Sequence, residues 1–192
     1  MNKKSVIWYD IIFYIILFIF AFLFVRFFGF ATVSGRSMYP TLKDNDYLLI
    51  SKKSKPSKND IVVIKRSGDT KYLVKRVIAT SGDTLKFDSN NIYINDSKLK
   101  ERYLNSEEEI LYTDSSVTIG DNCFYVLGDN RNHSGDSRIF GEVSREEIKG
   151  VVKLNLSSIG LSQFNIRIIT AIVIFIILVY NARLRKLDVQ EG

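Results

Sequence analysis

The stretch Tyr72–Ala79 (YLVKRVIA) has the composition of a buried β-strand, apart from its two basic residues. The turn residues Ser67-Gly68-Asp69 precede it and Ser81-Gly82-Asp83 follow it, which is typical of a β-strand. Lys75 lies in the middle of this largely apolar run. If its side chain points inward, desolvation lowers the pKa of the ammonium group. The alternative is an exposed strand lysine, because charged side chains mostly face solvent.

Six further short strands are predicted on both sides of this one. They are expected at Tyr47–Ile50, Asp60–Lys65, Leu85–Phe87, Asn91–Asn95, Phe124–Leu127 and Gly150–Leu156. Short strands at this spacing favour an antiparallel sheet folded into a small barrel or sandwich. The segment Glu101–Asp114, with three consecutive glutamates, is predicted to be a solvated loop or a short helix. The fold class is therefore mainly β over residues 31–158.

An apolar segment precedes the β domain. Ile11–Phe30 contains twenty residues, interrupted near its end by Arg26. This length suffices for a helix to cross a bilayer core of about 30 Å. Lys3 and Lys4 precede the segment, so residues 1–10 are expected in the cytoplasm. A cleaved signal peptide is the alternative, but the long run without a small-x-small site after it favours an uncleaved anchor.

A second apolar segment follows the β domain. Ile168–Tyr180 is thirteen residues long, which alone also fits a core or interfacial helix. Extended to residues 159–182, it predicts a second transmembrane helix. Arg183, Arg185 and Lys186 come next and would keep residues 183–192 in the cytoplasm. Two such spans make the chain a multi-pass protein of the cell membrane, with its β domain on the extracytoplasmic face.

The distribution of charge argues against nucleic acid as a partner. The chain carries a net charge of +6, but residues 31–163 contribute only +2 of it, from 20 Lys and Arg against 18 Asp and Glu. The remaining excess lies in the flanks and is typical of membrane-flanking cations. One cysteine, Cys123, precludes an internal disulfide, and one histidine, His133, argues against a His-rich metal site. No metal or cofactor is expected.

Two polar motifs indicate a catalytic site. Ser34–Leu42 (SGRSMYPTL) presents Ser37, whose hydroxyl becomes nucleophilic when a neighbouring base removes its proton. The only histidine is His133, 96 residues downstream, and a neutral Lys75 is the other candidate base. The second motif, Gly128–Arg138 (GDNRNHSGDSR), pairs acids with arginines. Such a pattern suits a hydrogen-bonded scaffold around a site.

Four motifs in this order resemble those of bacterial type I signal peptidases, the membrane-bound serine proteases that remove signal peptides. They are Ser34–Leu42, Asp44–Ile50, Lys75–Asp83 and Gly128–Gly141. The resemblance extends from the first apolar segment to Leu154. Gly35 resembles the Gram-positive branch, because other members have a serine there whose hydroxyl helps to bind the oxyanion. The second oxyanion donor is therefore left open.

The resemblance implies a Ser/Lys dyad, in which Ser37 is the acylating nucleophile and Lys75 the general base. It implies that Ser134 orients Lys75 by a hydrogen bond and that the Ser37 N–H forms part of the oxyanion hole. Asp136 and Arg138 are expected to form an ion pair, and His133 is interpreted as a loop residue. The supporting positions implied by the resemblance are Met38, Asp129, Arg131, Ser134, Asp136 and Arg138.

Substrates and partners also follow from the resemblance. It implies preproteins cut after small-x-small sites such as Ala-x-Ala, in contact with the lipid bilayer and the secretion translocon. Apolar pockets formed by Val33, Met38 and Leu73 are expected to select the small side chains. The substrate is expected to bind as an added strand.

Three other functions are consistent with parts of the sequence. A repressor-type autoprotease uses a Ser/Lys dyad on a related β fold, but a DNA-binding amino-terminal domain would be expected in place of the apolar segment. A pilus-assembly helper descended from peptidases should have lost Ser37 or Lys75. A membrane-anchored domain that binds a ligand leaves the four motifs unexplained.

Overall fold

The computed structural model describes residues 3–104, 110–161, 165–167, 170 and 174 of the 192-residue chain. Its helices are α1 (Lys3–Phe27) and α2 (Ser137–Phe140), with 3₁₀ turns at Arg131–His133 and Ser157–Ile159. The strands are β1 (Phe28–Thr32), β2 (Tyr47–Ser51), β3 (Ile61–Ile64), β4 (Leu73–Thr80), β5 (Thr84–Asp88), β6 (Asn91–Ile94), β7 (Ser97–Lys98), β8 (Ser115–Thr118), β9 (Cys123–Leu127), β10 (Val143–Ser144) and β11 (Ile148–Asn155). The mainly β class predicted from the sequence is confirmed.

The larger sheet has seven strands in the order β1-β2-β11-β3-β4-β9-β10, and every neighbouring pair is antiparallel. Strand β4 pairs with β3 through its first half, from Leu73 to Arg76. Its pairing with β9 begins only at Arg76 and runs to Thr80. One edge of residues 73–75 is therefore not covered by β9. This uncovered edge includes Lys75.

The smaller sheet has four antiparallel strands in the order β7-β6-β5-β8. Its inward side chains Leu85, Phe87 and Ile92 pack with Ile78 and Leu127 of the larger sheet in one buried cluster. Burial of aliphatic and aromatic side chains is the main stabilising term for such a contact. The shared cluster therefore joins the two sheets.

All seven strands predicted from the sequence are present, within about two residues at each end, as is usual for such boundaries. Strands β1, β7, β8 and β10 were not predicted. Two of them contain only two residues, and β8 has one aliphatic residue among Ser and Thr. The described parts of the predicted loop at 101–114 contain neither helix nor strand, and its three glutamates lie outside the described residues.

The predicted anchor at Ile11–Phe30 is corrected at its carboxyl end. Helix α1 ends at Phe27, and residues 28–30 belong to β1, where Phe28 pairs with Ser51. The ring of Phe30 stacks on Tyr47 of β2 with their centroids 5.3 Å apart. Strand pairing and this stacking favour β structure over continuation of the helix. In the sequence alone, the apolar character of residues 28–30 does not distinguish the two.

Within the part of the chain that the structure describes, no helix combines the length and apolarity needed to cross a membrane. The predicted second span, residues 159–182, lies almost entirely outside the described residues.

Candidate active site

Ser37 lies in a tight turn between β1 and β2. Within this turn the Leu42 N–H donates to the Met38 carbonyl at 2.9 Å. Gly35 has a φ of +92°, a conformation that glycine adopts without steric cost, and its N–H donates to Asp44 Oδ1 at 2.7 Å. Met38 is buried beneath the turn in an apolar cluster. These contacts hold Ser37 half-buried at the surface of the core.

The structure brings Lys75 and Ser37 into direct contact. Lys75 Nζ donates to Ser37 Oγ at 2.8 Å and to the Val74 carbonyl at 3.0 Å. The lysine is only 2% exposed. Its burial among the strands is therefore confirmed, and the alternative of an exposed strand lysine is excluded.

Burial changes the protonation of this lysine. Desolvation lowers the pKa of Lys75 from 10.5 to about 8, although the Asp136 and Asp129 carboxylates oppose the shift. At pH 7, a pKa of about 8 leaves about a tenth of the molecules with a neutral lysine. A lysine with its ordinary pKa would be almost entirely protonated. Burial therefore raises the fraction of neutral lysine beside the Ser37 hydroxyl.

Asp129 neutralises the charge of Arg76, the residue that follows Lys75 in β4. Its carboxylate accepts from Arg76 Nε at 2.8 Å and from Arg76 Nη2 at 2.6 Å. Arg76 Nη1 also donates to the Asn59 carbonyl, and its guanidinium lies 4.0 Å from the ring centroid of Tyr103. Both charged groups of the ion pair are buried. A bidentate pair of this kind fixes the position of both side chains.

Asp136 and Arg138 form the ion pair expected from the sequence. Arg138 Nε donates to Asp136 Oδ1 at 2.8 Å, and Asp136 is fully buried. The same carboxylate accepts from the Gly128 N–H at 3.0 Å. Arg138 Nη2 donates to the Arg131 carbonyl at 2.6 Å. This arrangement fixes the loop after β9 and places a negative charge near Lys75.

Arg131 connects the loop after β9 with Glu101 and Tyr112. Its buried guanidinium donates to both carboxylate oxygens of Glu101, to the Tyr112 hydroxyl and, through Nε, to the Gly128 carbonyl. Glu101, Tyr112 and Tyr103 are the residues that the sequence did not reveal. They lie in a stretch whose polar composition indicates a solvated loop, so no local pattern predicts their contacts with Arg131 and Arg76.

The contacts of Ser134 differ from the hydrogen bond that the resemblance implies for it. Its Oγ is buried and has no hydrogen-bond partner among the residues that the structure describes. The Ser134 side chain instead lies against Gly128: a Cβ added to that glycine would be 2.5 Å from Ser134 Cβ. Lys75 Nζ is held by Ser37 and Val74. The implied hydrogen bond between Ser134 and Lys75 is absent from this structure.

The apolar residues that pack beneath the turn of Ser37 are also different from the predicted set. Val33 and Met38 belong to one buried cluster, as expected, but the β4 residue that packs against them is Val74. Leu73 packs against a separate cluster on the other side of the sheet. Side chains of adjacent strand residues point to opposite faces of the sheet. The prediction was wrong by one position along β4, and it therefore named Leu73 in place of Val74.

His133 lies in the 3₁₀ turn at Arg131–His133 and is exposed. The hydroxyl of Ser37 contacts Lys75. Among the described residues, the side chain that hydrogen-bonds to Ser37 Oγ is Lys75, and no hydrogen bond joins His133 to Ser37. Among the described residues no group of three His, Cys, Asp or Glu side chains is arranged to hold a metal ion.

Comparison with known proteins relates the chain to signal peptidases. Residues 5–156 match the family model described as signal peptidase, peptidase S26. Signal peptidase I U of Bacillus subtilis (strain 168) is 36% identical over 134 residues, which cover 64% of this chain and 72% of that protein. Signal peptidase I S of the same organism is 35% identical over 147 residues, covering 68% and 79%.

A solved structure of a signal peptidase I from Enterococcus faecalis V583 covers 52% of this chain and 98% of its own, with 28% identity and a TM-score of 0.46. The family match includes both the turn that carries Ser37, between β1 and β2, and the strand that carries Lys75. The chain is a serine peptidase that belongs to the signal peptidase family, peptidase S26.

Proposed function

We propose that the protein removes signal peptides from exported preproteins by acyl transfer, with Ser37 as nucleophile and Lys75 as general base. The observation that carries this proposal is the 2.8 Å contact between Lys75 Nζ and Ser37 Oγ, made by a buried lysine. Nucleophile and base within hydrogen-bond reach are the signature of covalent catalysis by serine. Membership of the signal peptidase family supports the choice of substrate.

The proposed reaction begins with neutral Lys75 accepting the Ser37 proton as Oγ attacks the scissile carbonyl carbon. The carbonyl oxygen becomes an oxyanion, which the Ser37 N–H stabilises. When the oxyanion collapses, the C–N bond breaks and the Lys75 ammonium protonates the leaving amine. Lys75 then takes a proton from water, whose oxygen attacks the ester. Collapse of the second tetrahedral intermediate releases the signal peptide carboxylate and returns the proton to Ser37.

The proposed substrate binds as an extended strand along the uncovered edge of β4, residues 73–75. Backbone hydrogen bonds along such an edge supply affinity, while side-chain pockets supply specificity. The cluster that contains Val33, Met38 and Leu48 borders the nucleophile turn. Small apolar side chains would pack against these residues, and membership of the signal peptidase family supports a preference for Ala-x-Ala sites.

Membrane attachment through α1 is part of the proposal. It is supported by the composition of this helix and by the exposure of its aromatic side chains. Residues 11–25 are all apolar or aromatic, and the α1 side chains of Phe18, Phe20 and Phe22 are each more than 60% exposed. A lipid environment would cover such a surface. Strand β1 follows α1 directly, which would keep Ser37 near the bilayer, where signal peptides emerge.

We also propose the second span at residues 159–182, followed by Arg183, Arg185 and Lys186. The catalytic domain would then lie on the extracytoplasmic face of the cell membrane. The bilayer and the secretion translocon, which delivers preproteins, would be its partners there.

Cleavage of a preprotein with an Ala-x-Ala site tests the function. Purified protein in detergent is expected to cut after the second alanine, as located by mass spectrometry. Replacing that alanine by phenylalanine in the substrate is expected to lower kcat/KM by about 5- to 160-fold, since overpacking a tight apolar site costs about 1–3 kcal/mol. Cleavage at other sites, or equal cleavage of both substrates, would contradict the proposed specificity.

The pH dependence of cleavage follows from the state of Lys75. The base acts only when neutral, and burial lowers the pKa of Lys75 to about 8. We therefore expect kcat/KM to rise about tenfold per pH unit below pH 8 and to level off above it. The measurement is a pH profile with a substrate that has no ionisable group near the cut. A rate that does not change between pH 6 and pH 9 would contradict Lys75 as the base.

A further inference from the structure

Asn130 holds both peptide units that flank the nucleophile. Its backbone N–H donates to the Ser37 carbonyl at 3.0 Å. Its side-chain Nδ2 donates to the Arg36 carbonyl at 3.1 Å. Asn130 is itself buried at the start of the loop after β9. No role for this side chain follows from the acyl-transfer chemistry alone.

The Arg36 carbonyl and the Ser37 N–H belong to the same peptide unit. That unit is planar and trans, so its C=O and N–H point in opposite directions. A donor fixed on the Arg36 oxygen therefore sets the direction of the Ser37 N–H on the other side. The hydrogen bond also polarises the amide, which makes the N–H a stronger donor.

We infer that Asn130 is a positioning residue that directs the Ser37 N–H toward the oxyanion of the tetrahedral intermediate. This inference rests on the proposed acyl-transfer function. Gly35 has no side chain that could provide a hydroxyl donor, so the orientation of the backbone N–H carries more of the oxyanion stabilisation. Donors act best when they are oriented before the charge develops.

The orientation of the Asn130 amide is determined by its contacts. Only the NH₂ group of an asparagine side chain can donate to a carbonyl oxygen, so Nδ2 must face Arg36. The other atom, Oδ1, is buried without a hydrogen-bond partner among the described residues. A buried unpaired acceptor is unfavourable for stability. The contribution of this side chain to the site therefore lies in its donor.

The test compares Asn130→Ala and Asn130→Asp with the wild type on a preprotein with an Ala-x-Ala site. Both variants keep the backbone N–H and lose the side-chain donor. We expect kcat to fall about 10- to 100-fold, a part of what the loss of an oxyanion donor costs. KM should stay within about twofold, because the interaction strengthens only in the transition state.

Two further measurements separate positioning from a general structural role. A peptide aldehyde with the Ala-x-Ala sequence forms a tetrahedral adduct with a serine, and its affinity should weaken by the same factor as kcat. The affinity of the cleaved product peptide should not change. Asn155→Ala is the matched control, because Asn155 donates through Nδ2 to Asp46 at 2.7 Å outside the catalytic site. It should keep full activity.

Three results would overturn the inference. One is a kcat within twofold of the wild type for both well-folded variants. Another is equal weakening of aldehyde and product binding, which would indicate a disordered site. If Asn130→Ala does not fold, the similarly sized Asn130→Asp decides the question. A wild type that fails to cleave would overturn the proposed function and this inference with it, whereas normal wild-type cleavage isolates the role of Asn130.

Discussion

Replacing Lys75 by alanine is expected to lower kcat about a thousandfold or more, with little change in KM. A positioned general base contributes about 10²- to 10⁴-fold, and Lys75 would act twice in each turnover. The Ser37 hydroxyl would lose the acceptor that now lies 2.8 Å away. Lys75→Arg should be equally inactive, because a guanidinium stays protonated at any accessible pH. Initial rates of preprotein cleavage provide the measurement.

Lys58→Ala is the matched control for the loss of a lysine. The Lys58 side chain is 43% exposed, and the buried Asp83 carboxylate with which it pairs also accepts from Thr80 and Asn95. Loss of this lysine therefore leaves Asp83 hydrogen-bonded. This variant should cleave at the wild-type rate. If Lys75→Ala remained active while His133→Ala did not, the histidine would be the base and the proposed dyad would be wrong.

Gly128→Ala is expected to lower kcat about 100-fold although the added group is a single methyl. A Cβ at this position would be 2.5 Å from the Ser37 carbonyl oxygen and would overlap the Ser134 side chain. Backbone atoms cannot move aside without displacing the nucleophile turn. A displacement of about 1 Å in an active site can cost about 100-fold in rate. Steady-state kinetics on folded protein, checked by thermal unfolding, provide the measurement.

Gly135→Ala is the matched control in the same loop, because a Cβ there meets nothing within 4 Å. It should keep nearly wild-type activity. Full activity of Gly128→Ala would show that the loop after β9 adjusts freely. The tight packing described between this loop and the nucleophile turn would then have no role in catalysis.

Much of the fold follows from local patterns in the sequence. Runs such as Ile61–Ile64 and Leu73–Thr80 are apolar and bounded by turn residues, and both are strands. Strand β1 is different, because its residues Phe28, Phe30 and Ala31 are as apolar as residues 11–25 of helix α1, from which only Arg26 and Phe27 separate them. Its conformation depends on pairing with β2, a contact about twenty residues away. Local propensity does not contain that information.

In the candidate site, too, some features follow from local sequence and others depend on contacts between distant residues. The motifs identify Ser37 and Lys75, but only the folded chain determines whether the lysine is buried beside the serine or exposed. Glu101 is the opposite case: a glutamate in a polar stretch that pairs with the buried Arg131. The contact spans thirty residues, and neither residue type indicates it. Roles that depend on long-range partners, such as those of Ser134 and Asn130, require the three-dimensional arrangement.

An NMR titration of the Lys75 side chain, in protein with ¹³C- and ¹⁵N-labelled lysine, shows directly whether this group can act as a base near neutral pH. The Lys75→Met variant, which lacks the signal, assigns it. Our account predicts a titration with a pKa of about 8, well below the 10.5 of an ordinary lysine. A Lys75 signal that stays charged up to pH 10 would contradict the account, because the serine would then have no base.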